Sequence, residues 1–237
     1  TKHNFFAGPA ILPKPVLEQA QAAIVDFAGM GLSLLEISHR SKPFEAVMDE
    51  AAALVLELMG LDDTYTVLFL SGGASSQFFM IPMNLLNEDE TACYVNTGVW
   101  ASKAIKEASL FGKVQVVASS ESDHFRHIPK EIHVPNDAAY LHITSNNTIY
   151  GSQYHQWPDV PVPLVCDMSS DIFSRRLDFS KFSLIYAGAQ KNLGPAGVTL
   201  VVIKKSLIGQ AKRKLPSMLN YKLHMENGSM YNTPPVF

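Results

Sequence analysis

The apolar positions of this chain recur with two different periods. Helical spacing runs through Val16–Met30, Phe44–Met59, Ser75–Leu86 and Val99–Phe111. Seven short runs of strand character lie between and after them: TVLFL (66–70), ACYVN (92–96), VQVVA (114–118), AYLHIT (139–144), VPLVCD (162–167), SLIYA (183–187) and VTLVVI (198–203). Several are apolar at nearly every position instead of alternating, which predicts strands covered on both faces. Helices alternate with the early strands, and shorter segments link the later ones. The pattern predicts an α/β fold: a mostly parallel, doubly wound sheet of about seven strands with helices on both faces. Near the end, SLIGQAKRKLPSML (206–219) predicts an amphipathic helix interrupted at Pro216.

In such sheets ligands bind outside the carboxyl ends of the strands. That rule singles out SGGASS (71–76), NTGVW (96–100), TSNNTIYG (144–151), DMSSD (167–171) and AGAQKNLG (187–194), all polar, glycine-rich or both. None is a Walker loop, since Lys191 is followed by Asn192, and none has the Gly-x-Gly-x-x-Gly spacing of a dinucleotide site. SGGASS offers backbone N–H groups and the positive end of a following helix to a phosphate; it also reads as an ordinary turn with a serine cap. Asp167 ends an apolar strand, where an ionised carboxylate needs a partner. Either a turn or a protonated pyridine nitrogen would provide one. Lys191 stands among small neutral residues that leave room for a flat ring and favour a lysine able to lose its proton. Alone it reads equally as a solvated loop lysine, and Trp100 equally as a core residue at a helix start. Together a phosphate cradle, an aspartate, a lysine and an aromatic are the parts that pyridoxal phosphate requires.

Composition narrows the alternatives. A formal net charge of -3 over 237 residues gives no reason to expect a nucleic-acid surface or a polybasic membrane patch. The apolar runs stop well short of membrane-spanning length, and the first residues lack a signal-peptide pattern. Cys93 and Cys166 are far apart with no CxxC, so no disulfide framework and no metal site is expected. His124 and His127 have no third ligand near them in sequence and read as a surface loop, as does the KRK of 212–214 as a solvated face. NNT and NGS are chance matches to the glycosylation pattern, and the expected location is the cytoplasm.

Five separated motifs, FAGPAILP (6–13), EISHRSK (36–42), DMSSDIFSR (167–175), IYAGAQKNLGPAGVTLVVI (185–203) and GSMYNTPP (228–235), resemble in order those of the phosphoserine aminotransferase family, class V members of the fold type I pyridoxal-phosphate enzymes. The resemblance covers the whole chain. It implies that Lys191 forms the Schiff base with pyridoxal 5'-phosphate and shuttles the Cα proton. It further implies that Asp167 pairs with the pyridine nitrogen, that Trp100 stacks on the ring and that Thr148 contacts the cofactor. Ala74, Ser75 and Gln190 would serve the phosphate, and Asn232 and Thr233 would reach the phosphate of a neighbouring subunit in a homodimer. His39 and Arg40 would hold the anionic end of the substrate. The implied reaction moves an amino group from L-glutamate to 3-phosphohydroxypyruvate, giving O-phospho-L-serine and 2-oxoglutarate in serine biosynthesis. The implied organisation is an N-terminal arm (1–15) and a large cofactor-binding domain (16–237). A smaller C-terminal domain, with further basic residues for the substrate, follows in the family and is absent from this chain. Some family members carry an arginine where Ser75 stands. Two other readings are a class V enzyme acting on an unphosphorylated substrate and a cofactor-binding fragment without catalysis.

Overall fold

The computed structural model describes residues 2–235; the expected domain end at Phe237 lies outside them. Among the described residues nine strands form: β1 Tyr65–Leu70, β2 Thr91–Asn96, β3 Lys113–Ser119, β4 Tyr140–Thr144, β5 Asn146–Asn147, β6 Ser152–Gln153, β7 Leu164–Asp167, β8 Leu184–Gly188 and β9 Thr199–Lys204. Seven of them make one sheet in the order β1-β9-β8-β7-β4-β2-β3, while β5 and β6 form a small hairpin. Strands β8, β7, β4, β2 and β3 run parallel, and β9 is antiparallel to both of its neighbours. All seven apolar runs are strands of this sheet. The β5–β6 hairpin is too short to leave a periodic signal.

Two cores explain why those runs do not alternate. Cys93, Leu141, Ile143, Cys166, Ile185 and Val202 face one side, packed with Val55 and Met59 and with Phe179 and Phe182. Tyr94, Tyr140, Val165, Leu184, Tyr186 and Val201 face the other, packed with Phe78, Ile81, Ala104 and Tyr221. Consecutive residues of a strand are therefore buried on opposite faces. The helices are α1 Lys14–Val25, α2 Lys42–Met59, α3 Gly73–Leu85, α4 Val99–Ala108 and α5 Tyr221–Glu226. Helix α2 lies on the first face, ending at Gly60 in the left-handed conformation (φ 63°). Helices α3, α4 and α5 lie on the second. Asn84 ties α5 to α3: its Nδ2 donates to the Leu219 carbonyl and its Oδ1 accepts from the Tyr221 N–H.

Besides α4 ending at Ala108 and not Phe111, the structure departs from the sequence reading in three places. Helix α1 stops at Val25, not Met30, because the Asp26 carboxylate accepts the Gly31 N–H at 2.7 Å and draws the chain into a turn with Gly29 at φ 72°. The 206–219 segment is not a helix. Short 3-10 turns at Lys205–Leu207 and Ser217–Leu219 flank an irregular stretch with Gly209 at φ 83°. Its polar groups find tertiary partners instead: the Lys212 N–H donates to Asn87 Oδ1, and the Arg213 guanidinium donates to the carbonyls of Leu86 and Phe111. Finally, no serine caps α3. Gly72 holds the cap position at φ 100°, and the Ser76 hydroxyl donates back to the Gly73 carbonyl at 2.8 Å.

Candidate active site

Strands β7 and β8 are parallel neighbours; β7 ends at Asp167, opposite Tyr186, and β8 runs two residues further to Gly188. The turn after β1 delivers α3 over those ends. Strand β2 leads through Gly98 into α4, whose second residue is Trp100. Four chain segments that are distant in sequence thus converge on one corner of the sheet. Asp167, Ser169, Gln190, Lys191 and Trp100 line a cavity of about 120 Å3 there, roofed by Gly73, Ala74, Ser75 and Phe78 of α3.

Asp167 is buried. Its Oδ1 accepts from the Ser169 N–H at 2.9 Å and from the Ser169 hydroxyl at 2.6 Å. The Ser169 hydroxyl oxygen in turn accepts the Gly188 N–H at 3.1 Å, joining the two strand ends. Burial pushes the Asp167 carboxyl above its usual range, against the hydrogen bonds of Ser169, the charge of Lys191 and the hydroxyl of Tyr186, which favour the ionised form.

Lys191 lies in a turn folded on itself by the Leu193 and Gly194 N–H groups, both donating to the Ala189 carbonyl. Its Nζ is 5.1 Å from the centroid of the Trp100 ring. The N-terminal segment crosses beside it. The Ala10 N–H donates to the Gln190 carbonyl at 2.8 Å, and a Cβ at Gly8 would come within 3.1 Å of Lys191 Cγ. Gly188 leaves space where the cavity needs it, since a Cβ there would lie 2.9 Å from Gln190 Oε1 and 3.5 Å from the Ala74 nitrogen. Above it the first turn of α3 has no side-chain cap. Its free N–H groups and positive dipole end therefore face the cavity.

Of the residues named from sequence, Lys191, Asp167, Trp100, Ala74, Ser75 and Gln190 line this cavity, and five others do not. Thr148 is exposed in the turn between β5 and β6. That turn is held beside the start of α4, where the Thr97 hydroxyl donates to Asn147 Oδ1 at 3.3 Å. His39 and Arg40 occupy the turn before α2, and Asn232 and Thr233 are exposed beyond α5. Sequence reading missed Phe78, Ser169 and Gly8. Ser169 was findable, because an Asp followed two residues later by Ser is an Asx-turn pattern. Phe78 and Gly8 depend on tertiary approach and leave no local signal. A larger cleft of about 480 Å3 beside Ile128, Tyr154 and Trp157 has neither a buried carboxylate nor a helix N-terminus on its lining. Among the described residues no group of three or more His, Cys, Asp or Glu is placed to hold a metal ion. No helix among them is long and apolar enough to cross a membrane.

Comparison with known proteins identifies the family and the fold. The family model of the class-V aminotransferases matches residues 3–237. A phosphoserine aminotransferase of Flavobacterium psychrophilum is 61% identical over 237 residues, covering 100% of this chain and 67% of the relative. The solved structure of a phosphoserine aminotransferase from Bacillus circulans subsp. alkalophilus superposes with a TM-score of 0.95 at 54% identity, over 99% of this chain and 66% of that one. A pyridoxal-phosphate-bound phosphoserine aminotransferase from Trichomonas vaginalis gives a TM-score of 0.90 at 36% identity, over 99% and 67% of the two chains. The chain spans about two thirds of the length of these relatives. With these motifs, this sheet and these matches, the chain belongs to the class-V aminotransferases, and within them to the phosphoserine aminotransferase family.

Proposed function

We propose that this chain binds pyridoxal 5'-phosphate at the cavity between α3, α4, β7 and β8. In the whole protein it would transfer an amino group from L-glutamate to 3-phosphohydroxypyruvate, giving O-phospho-L-serine and 2-oxoglutarate as a step of serine biosynthesis. The observation that carries the reading is the convergence of Lys191, Asp167 and the uncapped N-terminus of α3 on one cavity. The residues fit the cofactor chemically: an anion site for the phosphate, a buried carboxylate for the pyridine nitrogen, an indole for the ring and an amine for the aldehyde. Bound there, the cofactor supplies an electron-withdrawing ring and a carbonyl carbon that stores the amino group between half-reactions.

The remaining work belongs to the chain's own residues. Lys191 Nζ would accept the proton from the substrate Cα and deliver it to the carbon across the shared nitrogen, so it must be neutral when it acts. Asp167, held by Ser169, presents a negative charge that keeps a ring nitrogen protonated. Trp100 limits the ring from one side and excludes water. The Ala74 and Ser75 N–H groups, with Gln190, hold the phosphate by hydrogen bonds and the helix dipole. Thr148 is the further cofactor contact, brought near α4 by the β5–β6 turn.

The substrate clamp reaches beyond these residues. Arg40 offers a paired hydrogen-bonding face for a phosphate or carboxylate. His39 Nε2 is buried without a hydrogen-bond partner among the described residues, and both fit the anionic end of the acceptor. Asn232 and Thr233 are exposed, as a contribution to a neighbouring subunit's phosphate in a homodimer requires. Helix α1 supports an assembly too, since none of its residues is buried and Leu17, Ile24 and Val25 are exposed. Cys93 and Cys166 are free thiols, in keeping with a cytoplasmic setting. The test uses the whole protein loaded with cofactor. Glutamate should convert the cofactor spectrum, and 3-phosphohydroxypyruvate should restore it. Restoration only by unphosphorylated 2-oxo acids would overturn the assigned substrate.

A further inference from the structure

Behind Asp167, on the face of the sheet covered by α3 and α4, lies a row of buried rings that the mechanism above does not use. Asp167 and Tyr186 are register partners on β7 and β8, and His142 of β4 is in register with Val165 of β7 and Tyr94 of β2. Registered residues of parallel strands, and residues two apart on one strand, point to the same face, so all four share that face, with His142 and Tyr94 one row (two residues) behind Asp167 and Tyr186. All four are buried. His142 Nε2 and the Tyr186 hydroxyl are hydrogen-bonded at 2.9 Å. The imidazole stacks on Tyr94 with ring centroids 4.9 Å apart, and the Tyr94 and Tyr140 hydroxyls are hydrogen-bonded at 2.8 Å. Tyr186 also packs edge-on against Phe78, a lining residue of the cavity.

The direction of the His142–Tyr186 bond follows from hydrogen-bond satisfaction. His142 Nδ1 is buried with no partner among the described residues. A buried N–H without an acceptor is rarer in proteins than a buried acceptor without a donor. The neutral tautomer carrying its proton on Nε2 avoids the orphaned donor, so Nε2–H donates to the Tyr186 oxygen. The Tyr186 proton is then free to point toward the carboxylate, which only accepts.

We infer that His142 and Tyr186 are positioning residues: they form a buried donor chain, His142 Nε2–H to Tyr186 O–H to Asp167, that keeps the Asp167 carboxylate ionised and oriented toward the cavity. Its relevance to catalysis rests on the proposed cofactor reading, but the His142–Tyr186 hydrogen bond and the register that sets Tyr186 beside Asp167 need no cofactor. Burial alone drives the Asp167 carboxyl toward its protonated form, and the Tyr186 hydroxyl is among the groups that oppose this. Burial likewise holds His142 neutral, its pKa lowered to about 3. An imidazolium there would add an N–H at Nδ1 with nothing to accept it.

The experiment works first on the cofactor-free whole protein. Nitrogen-15 NMR of the imidazoles should find His142 neutral and protonated at Nε2 throughout the neutral range. Carbon-13 detection of the Asp167 carboxyl should give a midpoint that rises by about one pH unit in Tyr186→Phe, the size expected when a charged acceptor loses one donor. His142→Phe should raise it by a smaller amount, and His142→Gln, which keeps a donor, should restore most of the shift. With cofactor added, Tyr186→Phe should weaken its binding about tenfold, in step with that shift. An unmoved Asp167 midpoint in a folded Tyr186→Phe protein, or a His142 carrying its proton on Nδ1, overturns the donor chain and leaves the cofactor reading intact. Failure of the wild-type protein to bind pyridoxal phosphate would overturn that reading instead, and the carboxyl titration would still decide the donor chain.

Discussion

Lys191 Nζ stands 5.1 Å from the centroid of the Trp100 indole, and Lys103 Nζ, one turn further along α4, stands 4.8 Å from the same centroid. One ring therefore lies near two ammonium groups, one on the turn after β8 and one on its own helix. The contact sets the end of the flexible Lys191 stem beside the indole that lines the cavity with it. Replacing Lys191 by Ala should leave the fold intact, because the residue is only half-buried, and should lower transamination by at least about a thousandfold. Single-turnover spectra with glutamate check this, and near wild-type conversion would remove Lys191 from the proton-transfer role.

Asp167 carries a cost in stability that its function explains. Its carboxyl midpoint is raised in the folded chain, mainly by burial. Between the ordinary value of 3.8 and that raised midpoint, the folded state holds more proton than the unfolded state. Stability therefore falls as pH climbs through this window and stays lower above it. Asp167→Asn should remove this component, raising the melting temperature of the cofactor-free protein at pH 7 by about 1–3 °C, while transamination drops on the order of a hundredfold or more. Thermal melts at pH 4 and pH 7, compared between the two proteins, read the difference.

His142 works in the opposite sense. Its folded pKa is lowered to about 3, from an ordinary 6.5. The unfolded state thus binds a proton that the folded state refuses between those values. The stability associated with neutral His142 is complete above pH 6.5 and is lost as pH falls toward 3. His142→Gln should flatten this acid limb by on the order of a few kcal/mol, which urea titrations at pH 4 and pH 7 would measure. An unchanged difference between the two pH values would mean that other groups set the acid limb.

Gly188 separates fold from site. It ends β8 with no side chain, under Ala74 and beside Gln190. Gly188→Ala adds one carbon that meets first the movable end of Gln190, so global stability should change by less than about 1 kcal/mol. The added methyl takes space that a flat ring needs, and affinity for pyridoxal phosphate should fall more than about tenfold. Equilibrium dialysis and denaturant melts on one preparation distinguish the two effects; wild-type affinity would place the ring elsewhere.

Six of the seven strands were legible in the sequence because they are largely buried on both faces, which leaves a nearly unbroken apolar run; the exposed edge strand β3 was legible from its valines at 114, 116 and 117. Helix interiors were legible for a similar reason, since one apolar stripe repeats at a fixed spacing. The 206–219 segment misled because its spacing is helical, whereas Asn87, Leu86 and Phe111 supply partners for its polar groups from elsewhere in the chain. The irregular path is held by those distant groups, none of which lies in the local pattern.

The site divides in the same way. AGAQKNLG and its Lys191 could be picked out because the residue types are unusual together, and the motifs by themselves point to a cofactor. What the sequence determined by itself was therefore the sheet, the class of chemistry and the strand ends that carry it. Tertiary structure alone decided that α3 begins on an uncapped Gly72, that Phe78 roofs the cavity, and that Tyr186 and His142 lie behind Asp167. These relationships come from strand register and helix placement. They join residues far apart in sequence, where local propensity and periodicity carry no information about which side chains will meet.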